Sequence, residues 1–200
     1  MAEPEPEVVF HVKRPESYCY TLDGFVDPDY AQALWTDCGS LTLIDNMPIR
    51  IYGRICHQKR AVGFFSSQSH GYQYSGQLLA AQPLPDFLSK LLETVNRSLG
   101  VDFNGILVNL YKDGKDTIGF HSDSEKDLAK GGVVASITLG ASRTFKIRPK
   151  IPSEEVSIQT KHGQLLVMGG NFQKEFTHGI PAESSVTDPR ISLTFRRHLA

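Results

Sequence analysis

In the stretch Gly119-Phe120-His121-Ser122-Asp123 a histidine and an aspartate stand two residues apart. In an extended segment the two-residue side-chain period points His121 and Asp123 to one face. A neutral imidazole and a carboxylate on one face are two of the three ligands of a 2-His-1-carboxylate triad. That triad leaves open positions on Fe(II) for a co-substrate and dioxygen. Alone, the pair is a weak signal, better read as a surface turn. A third ligand has to come from a distant strand, and among the seven histidines the downstream candidates are His162 and His178. His162, in Lys161-His162-Gly163, has the chemistry of a turn. His178, in Phe176-Thr177-His178-Gly179, lies between two β-prone runs, and local pattern mildly favours it without deciding.

The run Arg190-Ile191-Ser192-Leu193-Thr194-Phe195-Arg196 carries a second chemical hint. As a strand it sets Ile191, Leu193 and Phe195 on one face and Arg190, Ser192, Thr194 and Arg196 on the other. An inward-facing arginine is costly unless an anion meets it. A dicarboxylate is such an anion, and a planar guanidinium suits bidentate carboxylate recognition.

These residues need elements to position them. Asp27 and Pro28 open a helix that runs to about Cys38, with Tyr30, Leu34 and Trp35 at helical spacing and Gly39 after it. Pro85-Asp86 opens a second, where Phe87, Leu88, Leu91, Leu92, Val95 and Leu99 form a stripe closed by Gly100. Beyond residue 100 the pattern becomes short β-prone runs: Ile106, Val108 and Leu110 alternate with Leu107, Asn109 and Tyr111, and further runs cover 133–139, 144–147, 164–168 and 191–195. Helices first and many short strands afterwards read as an α+β domain on a sandwich or jelly-roll barrel. Helices do not alternate with the later strands, which excludes a parallel Rossmann sheet.

Composition bounds the partners. The chain has 200 residues, 40 % hydrophobic and 22 % charged, which excludes wholesale disorder. No apolar run approaches the roughly 20 residues that span a bilayer, and the N-terminus is acidic where a signal peptide is basic. Three widely spaced cysteines suit a reducing compartment. The expectation is a soluble intracellular monomer, nuclear or cytoplasmic, with no membrane partner. The net charge of −1 is a sum of unlike parts: residues 1–30 hold seven acids against two bases, so the rest is net +4. Arg50/Arg54/Lys59/Arg60 and Arg143/Lys146/Arg148/Lys150 carry much of that positive charge, as phosphate contacts or as solvated edges.

Asn109-Leu110-Tyr111, His121-Ser122-Asp123, His178 and Arg190 to Arg196 together resemble, in order and spacing, the signature of the AlkB family of Fe(II)- and 2-oxoglutarate-dependent dioxygenases that dealkylate nucleic acids. The match runs from about Arg50 to Arg197. The resemblance implies a double-stranded β-helix (jelly-roll) core with N-terminal helices packed on one sheet. It divides the chain into a flexible acidic leader (1–15), a segment of helices and nucleotide-recognition lid (16–100) and the dioxygenase core (101–200), all one structural unit. It implies His121, Asp123 and His178 as iron ligands, and Asn109, Tyr111, Arg190 and Arg196 as holders of 2-oxoglutarate, Arg190 meeting the distal carboxylate. Ser192 stands where the family has asparagine, which puts one hydrogen bond to the co-substrate in doubt.

For the substrate, Tyr72-Gln73-Tyr74-Ser75-Gly76 resembles the family's lid, with Tyr74 stacking a flipped base against His121. Glu125 matches an acidic position that recognises the damaged base. Ile51-Tyr52-Gly53 lies where duplex-acting members carry a wedge, and Tyr52 would fill the vacated stack. Where the family has Pro-Arg and a Tyr-Gly-Asp turn, this chain reads His57-Gln58-Lys59-Arg60-Ala61-Val62-Gly63. The implied reaction is oxidative demethylation of 1-methyladenine or 3-methylcytosine in DNA or RNA, using Fe(II), 2-oxoglutarate and O2. The alternatives are a dioxygenase of this fold acting on a protein or small molecule, a non-catalytic jelly-roll binding module, and a zinc protein with the same ligands.

Overall fold

The computed structural model describes residues 6–51, 53–74, 77–123, 128, 132–151 and 153–199, with the backbone alone at 50, 51, 73 and 74. The first elements are β1 (Glu7–Lys13), β2 (Ser17–Asp23), α1 (Pro28–Cys38), β3 (Pro48–Ile51) and β4 (Arg54–His57). Next, β5 (Ala61–Ser66), β6 (Gly71–Tyr74) and β7 (Gln77–Gln82) lead to α2 (Asp86–Leu99). After it come β8 (Gly105–Tyr111), β9 (Ile118–His121), β10 (Val134–Gly140), β11 (Thr144–Pro149) and β12 (Val156–Gln159). Last are β13 (Leu165–Gly170), the short α3 (Phe172–Glu175), β14 (Phe176–Ile180) and β15 (Arg190–Arg196).

Among the described residues the large sheet has the order β1-β2-β13-β10-β15-β8-β5-β7-β6, the smaller sheet β12-β11-β14-β9, and β3 and β4 form a separate hairpin. The protein is mostly sheet, but strands are not confined to its second half. The leader expected over 1–15 becomes strand from Glu7 on, where β1 pairs with β2. Residue 100 is no boundary either: β5 pairs with β8 and β2 with β13.

Both helices lie on one face of the large sheet. Leu34 of α1 and Leu88, Leu91 and Val95 of α2 share a buried cluster with Ile106, Val108, Ile137, Leu193 and Phe195. The other face meets the small sheet, where Val134, Leu166 and Met168 pack against Phe145, Ile147, Phe176 and Ile180. Strand β10 is therefore covered on both sides, and every residue of it but the last is buried. The α2 stripe buries Leu88, Leu91, Leu92 and Val95, and Gly100 closes the helix at φ 63° in the left-handed region. In α1 the Asp27 carboxylate accepts from the Tyr30 N–H at 3.0 Å. Tyr30 itself, expected in the apolar stripe, is exposed, and Ala31 takes the buried place beside Leu34 and Cys38. All three cysteines are free, and no helix among the described residues is long and apolar enough to cross a membrane.

Candidate active site

Strand register assembles the site. In the small sheet β14 pairs with β9 so that His178 lies directly opposite His121, and their ring centroids are 4.5 Å apart. Gly179 permits that approach: a Cβ there would stand 2.8 Å from the Ile118 carbonyl oxygen of β9. Two bonds fix the segment after β9. Ser122 Oγ donates to the Phe176 carbonyl at 2.8 Å, and the Asp123 N–H donates to Gln173 Oε1 at 2.9 Å. Asp123 thereby reaches the two imidazoles, and the ligand atoms of His121, Asp123 and His178 all lie within 4.8 Å of one another.

The chemistry of that cluster suits metal binding. His121 Nε2 is 3.6 Å and His178 Nε2 3.8 Å from the Asp123 carboxylate, too far for hydrogen bonds. Burial pulls both imidazoles below their ordinary pKa, His178 to about 3, more than Asp123 restores. They are neutral near pH 7, the form that ligates a metal. Burial alone would raise the Asp123 carboxyl, but Arg196 and the two histidines hold it at about 2. Asp123 Oδ2 is buried with no protein hydrogen-bond partner. The His121 Nδ1 bond to the Gly119 carbonyl, 2.9 Å, leaves Nε2 as the ligating nitrogen. A buried carboxylate facing two neutral imidazoles at non-bonding distance fits a divalent cation.

A cavity continues from this cluster between the sheets, lined among others by Asn109, Tyr111, Ser136, Arg190, Ser192 and Arg196. The pairing of β15 with β8 sets Arg190 opposite Tyr111 and Ser192 opposite Asn109. Arg190 is buried, its Nη2 donates to Thr138 Oγ1 at 2.9 Å, and its guanidinium carbon lies 5.3 Å from the Tyr111 ring centroid. Nε and Nη1 of Arg190 have no hydrogen-bond partner, and burial lowers its pKa. A guanidinium with unmet donors inside a cavity has the chemistry to receive a carboxylate. Arg196, at the other end of β15, donates from Nη2 to Asp123 Oδ1 at 2.7 Å, so a protein carboxylate is its partner here. Ser192 bonds with Ser136 at 2.8 Å and lies 3.3 Å from Thr194 Oγ1, part of a run of hydroxyls across β10 and β15.

Other expectations fall differently. His162 sits in the turn before β13 and accepts from the Gly140 N–H at 2.9 Å, away from the cluster. Tyr72 is a buried wall of the cavity, with Arg196 5.3 Å from its ring centroid. Tyr52, Ser75, Glu125 and the Tyr74 side chain lie outside the described residues. The two basic clusters are not wholly surface features. Arg143, 1 % exposed, donates to Glu183 and to the carbonyls of Asp113, Asp116 and Pro181, and Arg60 is 5 % exposed beside Asn109. Arg148 and Lys146 both pair with Glu155. Sequence reasoning passed over Thr138 and Arg60 as site residues. The alternation of Ser136 and Thr138 with Ala135, Ile137 and Leu139 was the signal for the first; Arg60 carried none beyond its charge.

A family model described as the 2OG-Fe(II) oxygenase superfamily matches residues 18–196. The chain belongs to that superfamily. Its metal and co-substrates are Fe(II), 2-oxoglutarate and O2, and the donor set of His121, Asp123 and His178 suits that metal. Within the superfamily the AlkB resemblance holds. The chain is 35 % identical over 159 residues to "DNA oxidative demethylase ALKBH2" of Bos taurus, covering 76 % of this chain and 57 % of that protein. It is 36 % identical over 135 residues to "Alpha-ketoglutarate-dependent dioxygenase alkB homolog 3" of Homo sapiens, covering 62 % and 47 %. The chain thus spans about half the length of these curated relatives. A solved structure, "The structure of OsALKBH1", superposes with a TM-score of 0.66 at 18 % identity over 95 % of this chain and 100 % of that one, a likeness of fold.

Proposed function

We propose that this protein is a dioxygenase that demethylates N-alkylated bases, 1-methyladenine and 3-methylcytosine, in DNA or RNA. The observation that carries the reading is the continuity of the buried His121/Asp123/His178 cluster with a cavity that ends on the unmet donors of Arg190. The two-sheet sandwich is read as the jelly-roll core, with α1 and α2 on its large sheet. One copy is taken as the working unit, inside the cell, where reduced iron and 2-oxoglutarate are at hand.

Fe(II) and 2-oxoglutarate bound there supply, with O2, the oxidation of an N-methyl group, releasing formaldehyde, succinate and CO2. The chain's own residues arrange that chemistry. His121, Asp123 and His178 hold the metal, and Gly119 and Arg196 orient two of these ligands. Arg190, steadied by Thr138, receives the distal carboxylate, and Asn109 and Tyr111 complete the receptor. Ser192, whose hydroxyl is engaged with Ser136, serves as part of the polar floor.

On the substrate side the family resemblance supplies the roles. Tyr74 stacks the flipped base, Tyr72 backs it, and Ser75 belongs to the same lid. Glu125 faces the charge or amino group of the methylated base. Tyr52, between Arg50 and Arg54 in the sequence, wedges into the stack.

The test is Fe(II)-dependent conversion of 2-oxoglutarate to succinate with 1-methyladenine and 3-methylcytosine in single-stranded DNA, duplex DNA and RNA. Stimulation by the methylated oligonucleotides, lost in His121→Ala, is the expected result. Turnover that ignores every methylated oligonucleotide points to a protein or small-molecule substrate. No turnover at all leaves a binding module or a zinc protein.

A further inference from the structure

Arg60 is charged, buried and unused by the reading above. It stands at the start of β5, where the Thr117 N–H just before β9 donates to the Lys59 carbonyl at 3.0 Å. Its Nε donates to Asn109 Oδ1 at 2.8 Å, a bond between groups that are both nearly buried. Arg60 lines the co-substrate cavity and also a smaller apolar one beside it, walled by Met47, Val62, Leu79 and Leu107.

The bond decides what Asn109 can offer. Arginine Nε is a donor only, so the amide atom facing it must be the oxygen. With Oδ1 engaged, what Asn109 has left to offer from the cavity wall is its amide N–H donors, the polarity a carboxylate requires. Turned the other way, the amide would meet a carboxylate with its oxygen. We propose that Arg60 is a positioning residue for the co-substrate: it locks the Asn109 amide so that its N–H groups face 2-oxoglutarate. This rests on the 2-oxoglutarate reading of the cavity, and it reassigns a residue that its sequence neighbours suggest for phosphate.

Side-chain geometry supplies a test that separates position from charge. In glutamine the amide nitrogen hangs from Cδ, where arginine carries Nε, so Arg60→Gln keeps the donor and drops the charge. In lysine that place is a methylene, so Arg60→Lys keeps the charge and drops the donor. Affinity for 2-oxoglutarate is measured by calorimetry on the Mn(II)-loaded protein, with melting curves beside it. Arg60→Gln is expected within about threefold of the parent Kd and Arg60→Lys about tenfold weaker. Arg60→Lys is expected to add nothing to Asn109→Ala. The reverse order would assign Arg60 a charge role, and equal affinities in all three, or weakening in both variants, would overturn the positioning role. Should Arg60→Lys fail to fold, loss of affinity in Arg60→Gln overturns it alone. If the parent itself fails to bind 2-oxoglutarate, the co-substrate reading falls instead.

Discussion

Arg196 donates to one oxygen of Asp123 at 2.7 Å, while the other oxygen, buried and without a protein hydrogen-bond partner, lies 3.8 Å from His178 Nε2. The guanidinium both keeps the carboxyl ionised and fixes its rotation. The register of β15 therefore reaches the His121/Asp123/His178 cluster through the carboxylate that Arg196 orients.

Replacing Arg196 with methionine should weaken Mn(II) binding by about 10–100-fold without removing any ligand. A titration that gives the parent affinity in Arg196→Met would show that Asp123 needs no such partner.

At the other end of β15, Arg190→Met should raise the KM for 2-oxoglutarate by about two orders of magnitude, and Thr138→Val several-fold, with kcat changed much less. Thr138 acts only through Arg190 Nη2. Steady-state succinate formation checks both, and a loss confined to kcat would place these residues elsewhere in the reaction.

Gly179→Ala should damage the metal centre without touching a ligand. The added methyl would meet the Ile118 carbonyl oxygen at 2.8 Å, pushing β14 from β9 and His178 from His121. The expected result is at least tenfold weaker Mn(II) binding with a lower Tm; unchanged metal affinity would mean the strands shift as a pair.

Glu183 gives the fold an acid dependence. Burial would raise its carboxyl pKa, but hydrogen bonds from Thr144 and Arg143 win and hold it below its usual 4.5. A carboxylate lowered in the folded state stabilises above its unfolded pKa, and that contribution fades as pH falls through the folded value. Glu183→Gln should cost about 1–3 kcal/mol at pH 7, roughly 2–4 °C of Tm per kcal/mol at this length. The gap from the parent should close as pH falls from 4.5 through the folded value; a gap that persists in acid would trace it to packing.

For the proposed wedge, Tyr52→Ala should slow demethylation of duplex substrates several-fold more than of single strands. Equal losses on both would remove the wedge.

Much of the site was legible because chemistry and strand period coincide. His121 and Asp123 two apart, and Arg190 alternating with Ile191, state which side chains share a face before any fold is known. The helices were legible from Asp27, the α2 stripe and Gly100, since caps and periodicity are local. The choice between His162 and His178 was not local. It waited on the pairing of β14 with β9, which Gly179 permits and no linear spacing encodes.

The basic clusters show the same divide. A sequence records that Arg60 and Arg143 are charged; only packing shows them buried, one beside Asn109 and the other among loop carbonyls and Glu183. Likewise β2 and β5 fall in the segment read as helices and lid because their partners, β13 and β8, lie well along the chain. By itself the sequence determined the ligand types, the arginine face and the α2 stripe, because each depends on spacing of a few residues. The tertiary structure decided which histidine joins His121 and Asp123, which arginines line the cavity and where the N-terminal strands go, because those follow from contacts between residues far apart in the chain.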